Sequence, residues 1–152
     1  MTNQRTLVLM KPDAVQRGLV GEIVMRLEKR GLRIAAAKVL QVDEELANRH
    51  YSDHQGKPFF PGLVAFITSS PIVAMVWEGD NAIEAVRQTM GATNPLQSAP
   101  GTIRGDLALD MGHNLIHGSD SPESAEKEIA IFFQAEGVVS YTRDIDQWVT
   151  ES

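Results

Sequence analysis

Cysteine is absent from this 152-residue chain, which excludes disulfide staples and thiolate metal centres and suits a reducing compartment. No apolar run approaches the roughly 20 residues that span a bilayer. Met1 to Arg5 is polar and leads directly into a strand. The expectation is therefore no membrane span, no secretion signal and a cytoplasmic location. Positive charge is also short, since 14 Lys and Arg against 20 Asp and Glu leave a net charge of −6. That balance argues against capture of a specific nucleic acid by the surface as a whole, but leaves room for a local basic pocket that takes a small polyanion. Glycine-rich phosphate loops are missing too. Neither the Walker pattern nor the dinucleotide fingerprint is present, so phosphate must be held by side chains. What remains is an ordinary folded composition, 43% hydrophobic, with enough chain for one domain over 1–152 and no internal repeat.

Arg5 to Lys11 reads as a largely apolar strand stopped by Pro12, which leaves Lys11 at the strand end. Val20, Ile23, Val24 and Leu27 mark one face of a helix that Gly31 stops. Leu32 to Val42 is a second strand, and Asp43 caps a helix running toward Tyr51. The paired Phe59 and Phe60 stand in a loop before the apolar segment Leu63 to Ile67; they read either as a hydrophobic clasp or as a flat face for a base. Pro71 to Trp77 is a third strand. Asp80 then opens a helix with Ala82, Ile83, Val86 and Met90 on one side, Arg87 one step off that stripe, and Gly91 at its end. Residues 92–106 form a long loop of the kind that is functional in a compact domain. Beyond Tyr141, Ile145 and Trp148 require a docking surface, on this chain or a neighbouring subunit. This order contains a β-α-β-β-α-β signature and predicts an α+β, ferredoxin-like fold: a four-stranded antiparallel sheet with helices packed on it. The rival, a parallel doubly wound sheet, lacks its glycine-rich loop after the first strand.

The stretch Gly112 to Asp120 carries the chemistry. Leu115 and Ile116 suit a buried strand, Gly118 allows unusual backbone angles, and Asp120-Ser121-Pro122-Glu123 reads as a helix N-terminus. His117 thus sits on a strand-to-helix corner, where free helix N–H groups favour anions. In the following helix Ala125, Ile129 and Phe132 define the buried face, and Glu128 lies on its rim. A carboxylate there can accept a hydrogen bond from one ring nitrogen of His117 and leave the other as a nucleophile, with Ser119 able to bridge the two. The bland alternative is a satisfied core histidine and a solvated glutamate.

Two histidine pairs invite a metal reading. His113 and His117 lie on a segment read as strand, where four residues span about 13 Å, too far for one ion. His50 and His54 fit one helix, but His50-Tyr51-Ser52-Asp53-His54 lacks the glutamate of the zinc-protease motif. For phosphate, the side chains available are Lys11, Arg87, Arg104 and the hydroxyl of Thr93.

Asn114-Leu115-Ile116-His117-Gly118-Ser119-Asp120 resembles the active-site signature of the nucleoside diphosphate kinase family. Lys11-Pro12-Asp13, Arg17 to Glu22, Tyr51, Pro58-Phe59-Phe60, Thr93-Asn94-Pro95 and Pro100 to Asp106 are similar to further family blocks in family order, so the resemblance covers essentially the whole chain. It implies phosphorylation of His117 on its δ nitrogen, with Glu128 and Ser119 orienting the ring. It implies stacking of the base on Phe59, with Met111 on the other side where the family commonly has a branched aliphatic residue. Lys11 and Asn114 would meet ribose hydroxyls and the transferred phosphate, Tyr51 would assist at the transition state, and Arg87, Thr93 and Arg104 would hold phosphates. The resemblance further implies ping-pong transfer from a nucleoside triphosphate, typically ATP, to a nucleoside diphosphate, with broad base and sugar tolerance. Magnesium would be carried on the nucleotide phosphates rather than on protein ligands. A homo-oligomer is implied, a hexamer rather than a tetramer. Other classes to separate from this are a non-catalytic sensing or RNA-binding domain of the same fold and a phosphohistidine carrier that serves proteins.

Overall fold

A computed structural model describes residues 3–151. Its sheet comprises β1 (Asn3–Met10), β2 (Arg33–Leu40), β3 (Ile72–Asp80) and β4 (Ile116–Gly118) in the order β2-β3-β1-β4. Every ladder is antiparallel. That is the ferredoxin-like arrangement expected, and the parallel alternative is excluded. The helices are α1 (Pro12–Gln16), α2 (Val20–Lys29), α3 (Glu44–His50), α4 (Phe60–Ile67), α5 (Ala82–Met90), α6 (Ile103–Leu107) and α7 (Pro122–Phe132).

Strand alternation sorts the core into two layers. Val8 and Met10 of β1 join Met75 and Trp77 of β3 beneath α2 and α5, with Ile23, Leu27, Val86 and Met90. Leu7 and Leu9 point the other way, into a layer with Ala47 of α3, Ile67 of α4 and Phe132 of α7. In the β1–β4 register His117 stands opposite Leu9. Directly paired residues share a face, so the ring is delivered to the layer of α3, α4 and α7.

Three local expectations change. Asp80 does not open α5: β3 continues to Asp80 because Asn3 pairs with it, and Asn81 makes the turn at φ +54°. The 92–106 loop is partly helical, with a 3₁₀ turn at Pro95–Gln97 and the start of α6, which Thr102 caps by accepting from the Gly105 N–H at 3.0 Å. The third concerns Gly118, which does not have a positive φ. Its missing side chain is what matters, because a Cβ there would stand 2.6 Å from Met90 Sδ and 3.1 Å from Val86 Cγ1. The left-handed residue of the segment is Leu115, at φ +75°. No helix among the described residues is long and apolar enough to cross a membrane.

Candidate active site

His117 is the central residue of three-residue β4, and α7 returns across it because Ser121 caps that helix, accepting from the Ser124 N–H at 3.1 Å. One turn and a half further on, Glu128 meets the ring: Nε2 of His117 lies 2.7 Å from Glu128 Oε1. The Ser119 hydroxyl donates to the same oxygen at 2.9 Å, and Ser119 Oγ accepts from the Leu7 N–H at 3.3 Å. Ser119 therefore stands behind the carboxylate and does not bridge it to the ring. Burial raises the Glu128 pKa, but hydrogen bonds from His117 and Ser119 together with the His117 charge outweigh it and hold the carboxyl below its ordinary value. An ionised Glu128 accepts only, so Nε2 carries a proton, and the lone pair of the neutral form of the ring lies on Nδ1.

Three cations bond to the segment that carries this ring. Lys11 caps α1 just past β1, and its Nζ donates to Asn114 Oδ1 at 2.9 Å. Burial, then the charge of Arg104, pushes its pKa down to about 8, with Asp13 opposing. Arg104 is pushed down to about 10 by burial and then by the charge of Arg87. Arg87 donates to the Gly118 carbonyl at 3.1 Å. Arg104 donates to the carbonyls of Asn114 (3.2 Å), Gly91 (3.2 Å) and Ile116 (2.5 Å), so much of its fork grips the segment that carries His117. Asn114 also donates to the Thr93 carbonyl at 2.9 Å, tying the long loop to the same place.

The backbone just before the histidine is unusual. The Ile116 N–H bonds back to the Asn114 carbonyl at 2.9 Å, which closes a γ-turn around Leu115 in the rare positive-φ form. Such a conformation costs a non-glycine residue on the order of 1–3 kcal/mol. Its neighbours hold it: the Leu115 N–H donates to Asp13 Oδ2 at 3.0 Å and its carbonyl accepts from the Lys11 N–H at 2.9 Å.

An aromatic row leads from the ring to the solvent. Centroids are 5.0 Å apart for His117 and His50, 4.6 Å for His50 and Tyr51, 6.3 Å for Tyr51 and His54, and 5.3 Å for His54 and Phe59. Phe59 is 52% exposed at the N-terminus of α4. Met111, 57% exposed, lies on the 108–113 turn, which His113 ties to α4 by an edge contact on Phe66 at 4.9 Å. Burial pushes the Tyr51 hydroxyl up to about 12, so it remains a proton donor at neutral pH. His50 and His54, four residues apart, suggest a metal pair from spacing alone. Here His50 packs edge-on against His117 and Phe132, and burial, followed by repulsion from His117, takes its pKa down to about 3. His113 sits in a turn outside β4, so its spacing to His117 is not a strand spacing. Sequence reasoning assigned no role to Asp13 or His50. The α-helical register of His50 was visible, but its side of the helix relative to β4 was not.

Known proteins resemble this chain over nearly its whole length. The profile of the family described as "Nucleoside diphosphate kinase" matches residues 4–138. A nucleoside diphosphate kinase of Thermomicrobium roseum is 60% identical over 146 residues, 96% of this chain and 98% of its own. One from Carboxydothermus hydrogenoformans is 57% identical over 148 residues, 97% of this chain and 99% of its own. Among solved structures, a halophilic nucleoside diphosphate kinase from Halobacterium salinarum in complex with CDP superimposes with a TM-score of 0.95 at 55% identity, covering 98% of this chain and 99% of that one. Fold and relatives together define a phosphotransferase built on a ferredoxin-like sheet. The chain belongs to the nucleoside diphosphate kinase family.

Proposed function

We propose that the chain transfers the terminal phosphoryl group of a nucleoside triphosphate, typically ATP, to a nucleoside diphosphate by a ping-pong route through His117. The observation that supports this reading is the 2.7 Å contact of Nε2 with Glu128, which leaves Nδ1 free to act as the nucleophile, with Lys11, Arg87 and Arg104 bonded to the segment that carries the ring. The Nδ1 lone pair attacks the γ-phosphorus, the P–N bond forms as the bond to the β–γ bridging oxygen breaks, and the diphosphate leaves with that electron pair. A second diphosphate reverses the step with its terminal oxygen, and the Nε2 proton stays on the ring throughout.

Lys11, Arg87 and Arg104 supply the positive field, Thr93 a hydroxyl for phosphate and Asn114 a contact for ribose or phosphate. The protonated Tyr51 assists at the transition state. The substrate is the magnesium complex of the nucleotide; among the described residues no group of three or more His, Asp and Glu side chains gathers to hold a metal. The exposed Phe59 and Met111 support stacking of a base from either side, a contact indifferent to base edges, and hence broad base and sugar tolerance. A cytoplasmic homo-oligomer, a hexamer rather than a tetramer, completes the proposal.

Incubation with γ-labelled ATP should give an acid-labile, base-stable phosphoprotein, and His117→Ala should give none. Label retained in that variant overturns the assignment. Multiple turnover with free diphosphates and no protein acceptor excludes a carrier.

A further inference from the structure

The γ-turn at Leu115 stands two residues before His117 and one after Asn114, so its shape fixes where both side chains begin. Leu115 is fully buried, and a left-handed residue that is not glycine returns to the extended region unless its peptide groups are held. Arg104 and the Lys11 backbone take the three carbonyls of residues 114–116. The one side-chain acceptor for the turn's own N–H is Asp13 Oδ2, at 3.0 Å. Asp13 lies in α1, the helix that Lys11 caps, so a single short segment sets Lys11, Asn114 and His117 relative to one another.

We infer that Asp13 is a positioning residue for phosphoryl transfer: its carboxylate oxygen locks the Leu115 γ-turn and so aims His117. This rests on the phosphohistidine reading above. Asp13 has a second effect, since its charge raises the Lys11 pKa, and the two roles make opposite demands. The lock needs an acceptor at the Oδ2 position and no charge; support of Lys11 needs a charge and tolerates displacement of the oxygen.

Asp13→Asn keeps an amide oxygen for the Leu115 N–H and removes the charge. Asp13→Glu keeps the charge and moves the oxygen by one methylene. In single-turnover labelling with γ-labelled ATP, Asp13→Asn should form phosphohistidine within about threefold of the unmodified chain. Asp13→Glu should be slower by about tenfold or more, as misplacement of a reacting group by a fraction of an ångström to an ångström demands. Hydrogen exchange at the Leu115 amide should stay slow in Asp13→Asn and speed up at least tenfold in Asp13→Glu. The reverse order of rates, or equal rates in all three proteins, overturns the inference; a purely structural role would move melting temperatures and leave the labelling rate of the folded protein unchanged. If the unmodified chain takes no label at all, the phosphohistidine reading itself fails, and the Leu115 exchange data still report whether Asp13 holds the turn.

Discussion

A neutral imidazole has one proton for two nitrogens, and here a carboxylate decides which nitrogen keeps it. Glu128 could be found in the sequence because a helix rim follows from the spacing of Ala125, Ile129 and Phe132. The rate contribution of that contact is testable: Glu128→Ala should slow phosphorylation of His117 by roughly tenfold or more, and an unchanged pre-steady-state rate would remove the orienting role. Lys11 makes a pH prediction. Its folded pKa of about 8 lies below the ordinary 10.5. The charged lysine therefore costs the free protein stability below pH 8, and that cost is relieved as pH rises from 8 toward 10.5. A bound phosphate favours the charged form, so binding of ADP should take up a proton above pH 8. Its affinity should fall by up to about tenfold per pH unit there, which calorimetry between pH 7 and 9.5 would detect; a flat profile would contradict the assignment. What the residue types did not disclose is orientation. That Arg104 grips three carbonyls, and that His50 faces His117, depend on how α6 and α3 pack, which no local pattern encodes.

At the scale of elements, β4 is three residues long and held mainly from outside. The apolar pair Leu115-Ile116 locates it, but Leu115 reads as ordinary strand and Gly118 as the residue with special angles, whereas the structure exchanges those parts. The exchange has a physical cause: a leucine takes positive φ only when distant groups such as Asp13 hold it, and those are invisible to a local reading. The close approach of α5 to Gly118 gives a prediction. Met90 and Val86 are buried against Gly118, so Gly118→Ala should destabilise the fold by about 1–3 kcal/mol through overpacking. A urea midpoint equal to that of the unmodified chain would show that α5 yields freely. Loss of the α7 cap in Ser121→Ala should cost about 1 kcal/mol in the same assay.

For the whole molecule, the strands were legible as short apolar runs between helical segments, and the element order together with the absence of a glycine loop after β1 favoured the antiparallel topology. Whether the tail docks on another copy was less legible, because a docked and a solvated aromatic look alike in sequence. Trp148 is 83% exposed and Ile145 54% exposed on the single chain. Around them the tail is well anchored: Tyr141 Oη donates to the Ile34 carbonyl at 2.6 Å, and Arg143 donates to the Gly31 carbonyl at 2.8 Å. A fixed strap with apolar residues outward supports association, and sedimentation at micromolar concentration should return a hexamer, with a monomer contradicting the proposal. If, as proposed, magnesium is carried by the nucleotide, EDTA should abolish transfer from ATP while leaving the melting temperature of the nucleotide-free protein unchanged; a drop in that temperature would reveal a structural ion.

The proposed phosphohistidine route turns on which nitrogen of one ring receives the phosphoryl group. The direct measurement is to phosphorylate the protein with γ-labelled ATP, hydrolyse it in alkali and resolve the two phosphohistidine isomers. With Nε2 committed to Glu128, the label should be recovered as the Nδ1 isomer. Recovery as the Nε2 isomer would contradict it.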